Sequence, residues 1–184
     1  MKGATLIELM LALFISTLIL SSLIEVYIAT QSISQTQCAL STIMINSHIA
    51  FNFLRSDLKS STENKVQPFY DAKMKETSMG FTVQNVATHA VNSYFVDKTM
   101  RIDDRGESIY ALYQLDTEKH KRELVEGIND MKIQYTILKN NKIIETNADE
   151  INSESKIIGI TIMLTFSSLN EFALQKNEFI YVSL

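Results

Sequence analysis

The sequence predicts an α+β fold in which a long N-terminal α-helix, membrane-spanning in its first half, packs on a C-terminal antiparallel β-sheet domain. Three observations carry this. From Leu9 to Ile24 the chain is apolar and uncharged, broken only by Ser16, Thr17, Ser21 and Ser22. No proline precedes Pro68 and no glycine lies between Gly3 and Gly80, so the usual helix terminators are missing for about sixty residues. Beyond Glu76 the apolar period changes from that of a helix toward two, the period of strands.

Ala4 to Ile24 is 21 residues, which at about 1.5 Å per residue spans the roughly 30 Å hydrocarbon layer of a bilayer. A secretory signal peptide would have an apolar core of about 7 to 15 residues ending at a small-residue cleavage site; here the apolar segment leads straight into more helix. After Glu25 the composition turns polar, but a seam persists at Ile33, Leu40, Met44, Ser47, Phe51, Leu54 and Leu58. Steps of seven, four and three put these side chains on one face. As one helix, Ala4 to Ser60 would be roughly 85 Å long; the alternative is two helices with a break near Gln31 to Gln37. Cys38, the sole cysteine, excludes an intramolecular disulfide and is expected to pack in this helix, a disulfide to a partner subunit being the alternative.

A polar connector is expected from Ser61 to Glu76, containing Pro68. Strands are expected at Phe81 to Val86, Tyr94 to Val96, Ile109 to Leu115, Met131 to Leu138, Ile143 to Thr146, Ile157 to Phe166 and Phe179 to Leu184. In Ile157 to Phe166 the series Ile158, Ile160, Ile162, Leu164 and Phe166 alternates with Gly159, Thr161, Met163 and Thr165, which suits one face on a core. Lys139-Asn140-Asn141-Lys142 separates two strand-like runs and suits an antiparallel hairpin.

With 184 residues and 46% hydrophobic composition, the chain has room for one domain with a core plus an appendage. A net charge of −4 and a pI near 5.4, without a basic cluster, argue against direct DNA binding, because phosphate neutralisation needs Lys and Arg gathered on one face. His48, His89 and His120 are isolated in sequence, and no glycine-rich phosphate loop occurs. Asp103 to Glu107 offers oxygen ligands and a glycine, but Arg105 interrupts it and EF-hand spacing is absent; an exposed turn is expected there. Asp149, Glu150 and Glu154 form an unspecific acidic loop. No metal, cofactor or enzymatic activity is expected.

Glu8 is the sole carboxylate in the membrane stretch, at a depth where an ionised side chain costs about 2.5 to 3.5 kcal/mol. Met1-Lys2-Gly3 is a short basic leader, and cleavage after Gly3 would expose the amine of Ala4. An amine and a carboxylate about 4 Å apart attract by roughly 4 kcal/mol at an effective dielectric near 20, comparable with that cost. The expected geometry is intermolecular, between neighbouring helices of an assembly.

Gly3-Ala4-Thr5-Leu6-Ile7-Glu8-Leu9-Met10 resembles the processing and methylation motif of type IV prepilins. The resemblance implies that an inner-membrane prepilin peptidase cuts after Gly3 and methylates Ala4, and that Glu8 guides subunit docking. Ala4 departs from the family's usual Phe or Met. The segment Glu123-Leu124-Val125-Glu126-Gly127-Ile128-Asn129-Asp130-Met131-Lys132-Ile133-Gln134-Tyr135 is similar to that before a central strand in PilW-like minor pilins and J-type pseudopilins, and Phe51 to Leu58 is similar to their helix end. Read from residues alone, Gly127 and Asn129 make a turn before a strand.

What the resemblance implies is a pilin-like organisation: leader 1–3, membrane and filament-core helix 4–24, amphipathic continuation 25–60 and β-rich head 61–184. The implied function is that of a minor pilin, priming a type IV pilus used for adhesion, twitching motility or DNA uptake. Its partners would be sibling minor pilins and the major pilin, met through the N-terminal helices. It would sit in the inner membrane with the head in the periplasm, then at the pilus tip; retention of Glu8 would put it just below the apex subunit. The alternatives are a J-type pseudopilin of type II secretion and a signal-anchored periplasmic domain that binds a ligand or DNA on its sheet.

Overall fold

The computed structural model describes residues 6–59, 65–69, 80–85, 89–103, 105–139, 142–147, 151, 156–168 and 174–184. The chain divides into two compact units, Met1–Cys38 and Ala39–Leu184. Helix α1, Leu6–Lys59, is continuous and contributes to both; no break occurs between Gln31 and Gln37. In the first unit the described residues are all helical.

The second unit adds nine strands among the described residues to the end of α1: β1 Lys65–Phe69, β2 Gly80–Gln84, β3 Val91–Ile102, β4 Ser108–Leu115, β5 Lys121–Glu126, β6 Ile128–Lys139, β7 Lys142–Thr146, β8 Lys156–Ser167 and β9 Gln175–Ser183. They form two antiparallel sheets, ordered β1-β2-β3-β4-β5 and β7-β6-β8-β9. The expected antiparallel β-sheet domain divides into its two sheets at Gly127. This residue adopts φ 77°, a left-handed conformation that costs a side-chain-bearing residue steric strain. Its N–H donates to the carbonyl of Tyr110 in β4 at 2.9 Å, and its own carbonyl accepts from the N–H of Ser167 in β8 at 2.8 Å. One residue thus bonds to each sheet as the chain passes from the first to the second.

Two strands fall where none was expected. β1 lies inside the expected connector and contains Pro68, which is tolerated because β1 is outermost and pairs only with β2. β5 carries Lys121, Arg122, Glu123 and Glu126, and its charge hides it from a search for apolar alternation. β3 extends well past Tyr94 to Val96, since its polar ends still pair with β2 and β4. The hairpin between β6 and β7 is as expected, with Leu138 opposite Ile143 and Lys139 opposite Lys142. In β8, Ile160, Ile162, Leu164 and Phe166 are buried and alternate with half-buried Thr161, Met163 and Thr165.

From Ala39 onward α1 buries Ala39, Ile43, Ser47, Ala50, Leu54 and Leu58, steps of four and three that make one stripe. The expected seam is shifted: Ile33, Leu40 and Met44 are exposed, and Phe51 is half-buried. Size misleads here, because Ala39, Ser47 and Ala50 are the small side chains that let other elements approach the helix backbone closely, and bulky neighbours are turned aside. Ile43, Ala50, Leu54 and Leu58 join one core cluster with Phe81, Tyr94 and Leu112 of the first sheet and Tyr135, Ile160, Ile162 and Leu164 of the second. Phe51 meets the ring of Phe166 edge-on at 6.2 Å.

The opposite face of the first sheet carries a smaller cluster. Phe69, Phe95 and Tyr113 stack in a row, with centroids 5.7 and 6.0 Å apart, and the Lys121 ammonium lies 4.0 Å from the Tyr113 centroid. Gly80 opens the space for this row. A Cβ there would come within 2.5 Å of the Tyr94 carbonyl oxygen and 3.0 Å of the Phe69 ring.

Leu54 is fully enclosed, at 0% exposure. Leu54→Ala should therefore cost about 2 to 5 kcal/mol, read as a lowered midpoint in thermal melts of a fragment from Gln31 onward, which retains the whole second unit. An unchanged midpoint would mean that Leu54 does not support the core.

Candidate functional site: an apolar helix and the contacts that hold its other end

Gly3 and Ala4, the expected processing residues, lie outside the described residues. Glu8, the expected docking residue, occupies the first turn of α1, where the positive end of the helix dipole favours a carboxylate. Around and beyond it the large apolar side chains from Leu6 to Ile28 are exposed on every side of the helix, from 47% at Ile15 to 78% at Leu6. Leaving such a surface in water forfeits about 25 cal/mol per Å² of apolar area, so an apolar medium or neighbouring helices are its natural surroundings. Among the described residues α1 is the one helix long and apolar enough to cross a membrane. Two of its hydroxyls bond back to the helix: Ser16 donates to the Ala12 carbonyl at 2.7 Å and Thr17 to that of Phe14 at 2.8 Å. These two side chains can enter lipid without an open donor.

Polar contacts tie the other end of α1 to the strands. The Asp57 carboxylate accepts from the Asn92 amide at 2.9 Å and from the Tyr94 hydroxyl at 2.5 Å, both on β3. Burial, together with the hydrogen bond to Asp57 and that carboxylate's charge, raises the Tyr94 phenol far above its ordinary value. About three turns toward the N-terminus, the Asn46 amide donates to the Glu126 carbonyl at the end of β5, at 3.1 Å. Against the second sheet, Glu178 of β9 pairs with Lys176 at 2.7 Å. Burial works to raise the Glu178 carboxyl, but hydrogen bonds from Lys176 and Ser47, with His48 nearby, hold it below its ordinary value.

The remaining polar residues build turns. The Asp103 carboxylate accepts from the N–H groups of Arg105 and Glu107 at 3.0 and 2.8 Å and takes the Arg105 guanidinium at 2.7 Å. The expected exposed turn is there, and Arg105 already occupies the oxygens that a cation would need. Asp116 closes the β4–β5 turn in the same way, through Glu118 and His120. Asp149, Glu150 and Glu154 lie outside the described residues, among which no group of three or more His, Cys, Asp and Glu could hold a metal. Cys38 is exposed, a correction to the expected packing: Ala39, one residue on, takes the buried place in the stripe. The sequence reading missed Asp57, Asn92 and Tyr94 as partners. The available signal was a lone carboxylate between Leu54 and Leu58, next to the buried face.

The fold and site define a class: an α+β protein with one long apolar N-terminal helix, compatible with a membrane anchor, and a C-terminal domain of two antiparallel sheets. Comparison with protein-family models, with curated proteins and with solved structures finds no match.

Tyr94→Phe is expected to destabilise the second unit by about 1.5 to 3 kcal/mol, the range for a hydrogen bond to a charged group. The effect depends on pH with a definite sign. The ordinary phenol value is 10.0 and the folded value lies above it, so the unfolded chain alone releases this proton as pH rises past about 10. Wild-type stability then falls, whereas Tyr94→Phe lacks this loss. Urea denaturation at about pH 8 and about pH 11 should show the gap between the two proteins narrowing; a constant gap would mean that the phenol titrates normally.

Proposed function

We propose that this chain is a minor pilin, a PilW-like structural subunit that primes a type IV pilus and sits at or near its tip. The observation that carries the reading is a single helix with two regimes. Its first part exposes apolar side chains on all sides behind one carboxylate in the first turn, and its last part is covered by a β domain. A filament of packed helices with outward heads makes use of both. The prepilin-like octet from Gly3 to Met10 supports the same reading.

In this mechanism a prepilin peptidase cuts after Gly3, and the released amine of Ala4 on one subunit approaches Glu8 of the next. At about 4 Å and an effective dielectric near 20 the pair is worth roughly 4 kcal/mol, against about 2.5 to 3.5 kcal/mol for holding the carboxylate in the bilayer. Docking is thereby coupled to correct axial placement of one helix against its neighbour. The chain waits in the inner membrane with its head in the periplasm, meets sibling minor pilins and the major pilin through the helix, and passes to the pilus tip just below the apex subunit. It catalyses no reaction and carries no cofactor. Its acidic balance argues against direct contact with DNA.

Mass spectrometry of the mature protein should give a chain starting at Ala4, and Gly3→Leu should leave uncleaved precursor. The same processed mass from Gly3→Leu would remove the reading's main support and favour a plain signal anchor. Glu8→Ala should reach wild-type membrane levels, because an apolar helix is cheaper in lipid. Its co-purification with sibling subunits and the number of surface filaments should each drop about tenfold or more, as loss of even 1.4 kcal/mol would require. Wild-type filament numbers, in a strain whose major pilin cannot start filaments by itself, would show Glu8 to be dispensable.

A further inference from the structure

The four outer strands of the two sheets are not protected alike. β1 is short and contains Pro68. β5 is charged, and Leu124 is an extra residue in its pairing with β4, a bulge. β7 has five residues and carries Lys142 and Glu145. These are the devices by which proteins discourage an edge from pairing with another chain. β9 largely lacks them. It has nine residues, and its register with β8 runs without a shift from Gly159–Ser183 to Ser167–Gln175. Its charges, Lys176 and Glu178, pair with each other, and the uncharged run Phe179 to Ser183 follows. Phe179 and Tyr181 stand exposed, at 77% and 53%.

Beside this edge lies a groove of about 230 Å³, lined by Ser47, His48, Phe51, Asn52 and Arg55 of α1 and by Glu178, Phe179 and Ile180 of β9. Successive residues of a strand point to opposite faces. Three in a row line this groove, and β9 is the last strand of its sheet, which fits a groove along the strand's edge. The groove also has a sign. Glu178 is matched by Lys176 and has His48 nearby, whereas Arg55 is exposed and has no carboxylate partner among the described residues.

We infer that β9 is a docking edge for an extended segment of another protein, which adds a strand to the second sheet, lays apolar side chains over Phe51, and sets a carboxylate against Arg55. Main-chain hydrogen bonds supply affinity and the groove supplies selection, as in other strand additions. The inference goes beyond the filament reading and does not depend on it, because processing at Gly3 and docking through Glu8 leave this edge untouched.

The test uses the full chain in lipid nanodiscs and fluorescein-labelled peptides as long as β9, nine residues, of alternating valine and threonine. One peptide has a central glutamate, a second has lysine there, and a third keeps the glutamate but has proline for an adjacent valine. Fluorescence anisotropy should show saturable binding of the glutamate peptide, about tenfold or more weaker for the lysine and proline peptides. Arg55→Glu should reverse the preference between glutamate and lysine, and Arg55→Gln, which introduces no repulsion, should abolish it. Hydrogen exchange should slow at β9 amides when the glutamate peptide binds. Absence of saturable binding, or binding indifferent to proline and to both Arg55 substitutions, would overturn the inference. So would self-association of the chain alone in sedimentation that Tyr181→Lys abolishes, since the occupant would then be a second copy.

Discussion

The stripe from Ala39 to Leu58 is the surface on which the second unit is organised. Each sheet has an apolar face that must be covered, and a helix stripe of small and branched side chains meets both in one continuous cluster. Burial of this kind has no direction and by itself would tolerate sliding. The polar contacts remove that freedom. Asp57 reaches Asn92 and Tyr94 on β3 while Asn46 reaches the end of β5, so translating the helix by one turn, about 5.4 Å, would break both ends at once. Gly127 performs a similar service for the sheets, tying β4 and β8 through one residue's N–H and carbonyl.

The same helix obeys opposite solvent rules along its length. Past Ala39 small residues make room for strands, and bulky ones such as Met44 and Ile45 are left outside. Before Cys38 the large side chains surround the axis, which suits a surface with no preferred covered face. A helix of that kind can serve lipid or a ring of neighbouring helices equally, because neither imposes a stripe. From Leu6 to Ile24 its one charged side chain is Glu8, in the first turn.

The second unit uses much of its polar chemistry within its own turns. Asp103 and Asp116 spend their carboxylates on backbone N–H groups within their own turns, so the loops are held by local bonds. The face of the first sheet away from the helix is closed by the Phe69, Phe95 and Tyr113 row beneath Lys121.

By itself the sequence determined what depends on near neighbours along the chain. The helix was legible because its breakers are absent from Gly3 to Pro68 and its apolar run is long. β8 and the β6–β7 hairpin were legible because a period of two and an Asn-Asn turn are local signals, and so was the turn at Asp103. Glu8 stood out for the same reason, one charge in an apolar run. Tertiary structure alone decided which side of α1 is buried, since whether Ala39 or Leu40 faces inward depends on how closely strands distant in sequence approach it. It decided that Pro68 and the charged run from Lys121 belong to strands, because an outermost strand needs only one partner. It decided that the strands divide into two sheets at Gly127, and that Asp57 meets Tyr94 across an interval of 37 residues. Those outcomes are set by packing between distant segments, which no local pattern records.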